Sequence, residues 1–406
     1  MKNIKEVSRD WKNGIARTIT FIVTKDCQLA CKYCYLVGKN NSERMSLEVA
    51  KQTVDFVLND KTISSSESVI WDFIGGEPFL EIDLISHICD YIKQRMYELN
   101  HHWFNSYRFS FSTNGINYNS DKVQEFIKKN DKHLSIGITI DGTKRKHDLN
   151  RIWKGVNQEK GSYDDVVKNI PLWLSQFPDS STKVTISSAD IPYISESVLH
   201  LYSLGIKEVN INAVFENVWK KDDDKAFEHQ LVILADKIID NELYKDFACS
   251  FFDENIGKPL SPEDNKNWCG AGLMLAVDAS GNFYPCTRFA AYSLREKHAI
   301  IIGNISNGIN HNLVRPFQTL TRKAQSTDDC FNCEVASGCA WCQGENYDAA
   351  DTNTIYQRST AICNMHKARV RANNYYWNKL YRKLELEGIA KEEAEAHVKK
   401  SNHKQC

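Results

Sequence analysis

Six short apolar runs punctuate residues 18–212: TITFIV at 18–23, SVIWDF at 68–73, RFSFST at 108–113, LSIGITI at 134–140, KVTISS at 183–188 and EVNIN at 208–212. Each has the length and β-branched or aromatic content of a buried strand, and longer amphipathic stretches separate them. Strands alternating with helices fold as parallel βα units, because each crossover helix returns the chain to the same end of the sheet. Six units make an incomplete (β/α)6 barrel, and such folds carry their chemistry on loops at the C-terminal ends of the strands. The loops after four of these runs are where unusual residues collect.

The first run is followed by TKDCQLACKYCY, which puts Cys27, Cys31 and Cys34 on the loop leaving its C-terminal end. Three thiolates at this spacing suit three irons of one cubane cluster and leave the fourth iron without a protein ligand, open to a substrate or cofactor. Taken alone, the triplet also fits zinc completed by a remote ligand. GGEP, at Gly75, Gly76, Glu77 and Pro78, follows the second run. Its glycines let backbone approach a ligand closely, and carbonyls with a carboxylate suit an ammonium group. STNG, with Ser112 and Asn114, follows the third run; TIDG, with Thr139 and Asp141, follows the fourth, and HDLNR ends at Arg151. An arginine fork matches the two oxygens of a carboxylate. A second cysteine group comprises Cys269, Cys286, Cys330, Cys333, Cys339, Cys342 and Cys363, with Gly281 five positions before Cys286.

This pattern resembles the radical S-adenosylmethionine (SAM) superfamily, whose signature is CxxxCxxC with an aromatic residue, here Tyr33, before the last cysteine. The resemblance implies a partial (β/α)6 TIM barrel. It also implies SAM contacts from Tyr33, Gly75, Gly76, Glu77, Pro78, Ser112, Asn114, Thr139, Asp141 and Arg151, with Thr139 and Arg151 serving the ribose and carboxylate. The second cysteine group resembles the SPASM extension, which holds two auxiliary clusters. Carried over by order, Cys269, Cys286 and Cys342 bind the first, and Cys330, Cys333, Cys339 and Cys363 bind the second. Three [4Fe-4S] clusters and SAM are the cofactors implied. Cys342 departs from the family pattern, lying one residue closer to its predecessor than usual. The first auxiliary cluster is then one protein ligand short.

The remaining cysteines are Cys89, Cys249 and Cys406. Cys89 lies in the amphipathic run DLISHICDYIKQRMY and reads as a small buried residue. Cys249 stands as an alternative source of the missing ligand. Thirteen cysteines without an apolar signal segment or a membrane-length apolar run point to a reducing cytoplasm. A net charge of -1, from 51 basic against 52 acidic residues, argues against a broad nucleic-acid footprint.

At 406 residues the chain exceeds a usual single domain. The expected parts are an extension at 1–17, the barrel at 18–212, a bridging region at 213–268, the SPASM domain at 269–366, and C-terminal helices and tail at 367–406. In the bridge, acidic residues before an apolar 3.6-residue pattern predict a helix start. The C-terminal region predicts one or two amphipathic helices broken near Gly388, whose Arg and Lys face either solvent or an acidic peptide.

Two SPASM groups compete on function. One makes formylglycine in sulfatases and carries an aspartate base directly after the cysteine matching Cys286; this chain has Thr287. The other crosslinks ribosomally made peptides, and CGAG, GNFYPCTRF, CAWC and CNMHKARVRANNYYW resemble maturases of the CXXX-repeat target type. The resemblance implies a Cys-containing precursor peptide, thioether crosslinks made through a 5'-deoxyadenosyl radical, and an external flavodoxin- or ferredoxin-type electron donor. The short N-terminal extension leaves leader recognition to a separate protein or to the bridge and C-terminal helices. Carbon–carbon (cyclophane) crosslinking, a small-molecule dehydrogenase and a non-enzymatic zinc protein are the other readings.

Overall fold

A computed structural model describes residues 16–39, 41–155, 159–266 and 269–386. Most of the N-terminal extension, the helix break expected near Gly388, and Cys406 lie outside them. The chain divides into two compact units: one from within 1–30, 34–137 and 267–320, the other from within 31–33, 138–266 and 321–406.

In the first unit an eight-stranded sheet runs β11-β10-β9-β8-β1-β2-β3-β4. The strands are β1 (Ala16–Thr24), β2 (Ser68–Gly75), β3 (Tyr107–Thr113), β4 (Leu134–Ile138), β8 (Leu275–Val277), β9 (Asn282–Tyr284), β10 (Gly303–Asn304) and β11 (Gly308–Ile309). β1 is buried on both faces over its last six residues, as a central parallel strand must be. It pairs in parallel with β2 on one side and with β8 on the other. Register places Phe21 beside Phe73 and Phe73 beside Phe111, and their rings stack at centroid distances of 5.4 and 5.3 Å. This ladder supplies cross-strand packing beyond simple area burial. Helices α1 (Leu47–Asn59), α2 (Ile82–Glu98) and α3 (Asp121–Asn130) cross between the strands. α1 begins where Ser46 accepts a hydrogen bond from the Val49 N–H. Cys89 is fully buried on α2, and burial pushes its thiol up, as expected of a packing residue.

The second unit contains a parallel sheet β5-β6-β7, from β5 (Thr182–Ile186), β6 (Glu208–Ala213) and β7 (Ala248–Cys249). An isolated parallel bridge joins Thr139, just past β4, to Lys183. All six sequence-predicted strands therefore form, in an α/β fold whose sheets are rich in parallel pairs. Helices α4 (Lys144–Asn150), α5 (Ile194–Ser203), α6 (Asp223–Asp240) and α7 (Cys363–Leu386) complete the elements used below. α6 starts with Asp223 and Asp224 in its first turn, where carboxylates favour the helix dipole. Two C-terminal cations have acidic partners on α6: Arg371 pairs with Glu228 at 2.7 Å, and Lys379 pairs with Asp236 and Asp240 at 2.8 and 3.0 Å.

Candidate functional site

In the first unit, the loops after β1, β2 and β3 converge through backbone contacts. Gly76 N–H donates to Thr24 O at 3.1 Å and Glu77 N–H to Asp26 O at 2.9 Å. A Cβ at Gly75 would come within 2.2 Å of Thr24 O, and one at Gly76 within 2.1 Å of Asp26 O. The glycines of GGEP thus admit the cysteine-bearing loop itself, a nearer partner than a ligand.

Glu77 is buried and ties these loops to the next. Its carboxylate accepts from Thr113 Oγ1 (2.6 Å), Asn114 N–H (2.7 Å) and Phe79 N–H (3.1 Å), while Pro78 opens a short 3₁₀ turn. Asn114 in turn extends its amide to Gln28 Oε1 at 3.0 Å and towards Cys27 Sγ at 3.9 Å. Cys27 Sγ also accepts from the Leu29 N–H at 3.3 Å. Such donors favour a thiolate. Ser112 is half-buried at the end of β3. Three separate motifs, GGEP, STNG and the first cysteine, are brought together here.

A further group in this unit surrounds Cys34. Cys34 and Tyr35 pack against a core of Ile22, Leu36, Ala276, Tyr284, Ala290 and Tyr292. Burial pushes the Tyr35 phenol up to about 12, against a hydrogen bond with Thr287 and the nearby Arg288; Cys34 and Cys286 add to the rise. The Arg288 guanidinium lies 4.6 Å from the Tyr35 ring centroid. Thr287, at the position expected of a base in sulfatase maturation, is therefore engaged with a phenol. The β8–β9 hairpin leading to Cys286 turns at Gly281 (φ 75°), and Asp278 caps it by accepting from the Ser280 and Asn282 N–H groups, both at 2.9 Å.

In the second unit, TIDG and HDLNR meet Tyr33. The Tyr33 hydroxyl donates to Asp141 Oδ2 and accepts from Arg151 Nη1 at 2.9 Å. Asp141 Oδ1 accepts from the Thr185 N–H at 3.0 Å. Burial opposes ionisation of Asp141, but Lys146, Arg151 and His147 outweigh it and hold the carboxyl below the usual range. Burial likewise opposes the charge on Arg151, yet Tyr33, Cys31 and Asp141 raise its pKa above the ordinary value. Arg151 Nε is buried without a hydrogen-bond partner, an unmet donor that fits an incoming carboxylate. Gly142, with φ at 127°, passes so close to Ser197 that a Cβ would lie 2.1 Å from its side chain. Sequence reasoning missed His147. It accepts from the Asp141 N–H at 3.3 Å and contacts Ser162 Oγ at 3.0 Å; burial, with Arg151 and Lys146, lowers its pKa to about 3.

The later cysteines of this unit also gather. Burial pushes the Cys339 thiol up, Arg358 opposes this, and Cys363, Cys333 and Cys330 reinforce it. Those four are the set assigned to one cluster. No disulfide links the described cysteines, and among the described residues no three His, Cys, Asp or Glu are grouped to hold a single ion. An all-thiolate set of this kind suits a cluster, whose ligands bind separate iron corners. Cys249 sits buried on β7, and burial pushes its thiol up to about 12.

Comparison with known proteins places these groups in context. Residues 13–160 match the family described as "4Fe-4S single cluster domain". The cysteine-type anaerobic sulfatase-maturating enzyme of Clostridium novyi is 30% identical over 152 residues, covering 37% of this chain and 38% of that protein. Among solved structures, anSMEcpe with bound AdoMet superposes with a TM-score of 0.65 at 18% identity, over 96% of this chain and 99% of that one. Streptococcus suis SuiB bound to the precursor peptide SuiA gives a TM-score of 0.56 at 14% identity, over 88% and 79%. Among the described residues, no helix is long and apolar enough to cross a membrane.

Proposed function

From the support these relatives give to a place among the radical SAM maturases that modify peptides and proteins, we propose that the chain forms thioether crosslinks in a Cys-containing precursor peptide. Each link replaces one S–H and one C–H with an S–C bond, so the product is lighter by two hydrogens: the carbon's hydrogen atom would pass to the SAM-derived radical, the thiol proton to solvent and the remaining electron to a cluster. Cys27, Cys31 and Cys34 hold the cluster that faces SAM; Cys269, Cys286 and Cys342 hold a first auxiliary cluster, and Cys330, Cys333, Cys339 and Cys363 a second. When bound, SAM and its cluster supply a carbon radical able to remove hydrogen.

The chain's own residues position these groups. Arg151, with its unmet Nε donor, receives the SAM carboxylate, and Tyr33 with Asp141 holds the guanidinium in place. Thr139 serves the ribose. The backbone around Gly75, Gly76 and Pro78 receives the ammonium, because the Glu77 carboxylate is occupied by Thr113, Asn114 and Phe79. The first auxiliary cluster that Cys269, Cys286 and Cys342 would hold would supply a metal site able to orient the precursor thiolate and keep it deprotonated. A flavodoxin- or ferredoxin-type protein supplies electrons, and the setting is the anaerobic cytoplasm.

The observation that carries this reading is Thr287. Its hydroxyl bonds Tyr35 where a sulfatase-type maturase needs a carboxylate base. The Clostridium novyi relative favours a second reading, formylglycine formation, and carbon–carbon crosslinking is the third. Anaerobic reconstitution with SAM, reductant and a Cys-bearing precursor separates them. Loss of two hydrogens per link, with NMR correlation from the Cys β-carbon through sulfur to the acceptor carbon, is expected. Carbon–carbon correlations, an aldehyde product, or SAM cleavage with unchanged peptide refutes the thioether.

A further inference from the structure

Arg358 was not singled out by any sequence motif, yet it contacts a cluster ligand directly. Its Nη2 donates to Cys339 Sγ at 3.1 Å and reaches Ala340 O at 3.4 Å, while Nη1 lies 3.5 Å from Ser326 Oγ. The guanidinium also rests on the Trp341 ring, 4.5 Å from its centroid. Stacking, carbonyl and hydroxyl together fix a planar cation in one orientation, with a donor aimed at sulfur. A second cation, Arg369, interacts electrostatically with Cys339 while donating to the Phe251 and Ser250 carbonyls at 3.3 and 2.5 Å. By contrast, the donors to Cys27 described above are neutral amides.

We propose that Arg358 raises the reduction potential of the second auxiliary cluster. The physical basis is charge. Adding one electron makes a cluster more negative by one unit, and a fixed guanidinium donating to a ligand sulfur stabilises that reduced state more than the oxidised one. Arg358 is a positioning residue: it touches the ligand, not the substrate. The inference rests on the assignment of Cys330, Cys333, Cys339 and Cys363 to one cluster.

The test needs no peptide. In the full chain carrying Cys27→Ala, Cys31→Ala and Cys34→Ala, only the auxiliary centres remain, and their potentials are read by anaerobic titration followed by electron paramagnetic resonance. Arg358→Gln removes the charge; Arg358→Lys keeps it. The expected result is a fall in the midpoint of one auxiliary signal with Arg358→Gln, the other signal unmoved, and a midpoint near the parent value with Arg358→Lys. Full iron content with both midpoints unchanged in Arg358→Gln overturns the proposal. Where Arg358→Gln fails to hold its iron, Arg358→Lys decides: an unshifted midpoint supports the role of charge, and a fall overturns it. If the parent protein binds no iron at this set, iron and sulfide analysis shows it before any titration, and the cluster assignment itself is lost.

Discussion

Gly76→Ala should loosen the cysteine loop more than any other single methyl added to the first unit's motif residues. The new Cβ would sit 2.1 Å from Asp26 O, about 1 Å inside the closest approach such atoms tolerate, and 2.9 Å from the Cys27 Cβ. Relief requires the strands' loops to part by about that much. That displacement stretches the Gly76–Thr24 and Glu77–Asp26 hydrogen bonds beyond useful range. Two lost bonds cost about 1–3 kcal/mol together, and residual overpacking adds about 1–3 kcal/mol. A total of about 2–6 kcal/mol corresponds to a fall in Tm of about 4–24 °C, at about 2–4 °C per kcal/mol for a unit of this size. Differential scanning calorimetry of the apo protein is the assay. Gly155→Ala is the control, since a Cβ there meets nothing within 4 Å and pays only for its φ of 73°, about 1 kcal/mol. Equal Tm values for the two variants would refute the packing role assigned to Gly76.

Arg151→Lys should weaken SAM binding roughly tenfold by equilibrium dialysis, because a lysine ammonium cannot match a carboxylate bidentately. Cys89→Ala should cost about 1 kcal/mol and leave the iron content unchanged, whereas Cys339→Ala should remove one cluster's iron; both are read by metal analysis. The pH dependence of stability should show His147. Its folded pKa of about 3 lies below the unfolded value near 6.5, so only the unfolded chain takes up this proton between those limits. Stability contributed by the neutral ring is complete above pH 6.5 and declines towards pH 3, by up to about 1.4 kcal/mol per pH unit. Urea titrations at pH 7 and pH 5 should show a smaller difference for His147→Asn than for the parent.

The six predicted strands were legible because each carries β-branched or aromatic residues, nearly continuous in TITFIV and alternating with less buried polar residues in RFSFST, a local signal. Leu275–Val277, Asn282–Tyr284, Gly303–Asn304 and Gly308–Ile309 were not, since strands of two or three residues carry no period and exist only through partners distant in sequence. The motif residues were found for their chemistry, but some of their work is different. Gly75 and Gly76 clear space for the Thr24–Cys27 backbone, and Glu77 is consumed by Thr113 and Asn114. Arg358 and the buried Lys146–Asp190 pair at 3.7 Å belong to no recognisable motif, and His147 opens HDLNR without the motif revealing its buried role. Their importance comes from burial and from neighbours that folding brings close, which a linear pattern does not encode.

The parallel pairing of β1 with β8 has a consequence for synthesis. Some 250 residues separate Thr24 from Leu275, so one edge of β1 stays bare while they are made. At about 5–20 residues per second, a ribosome leaves that row of amides and carbonyls unsatisfied for roughly 12–50 s. A nascent chain in that interval presents the unpaired edge at Ile19–Phe21 to any other copy nearby. Slow elongation through this stretch should therefore lower the soluble yield of the full-length polypeptide.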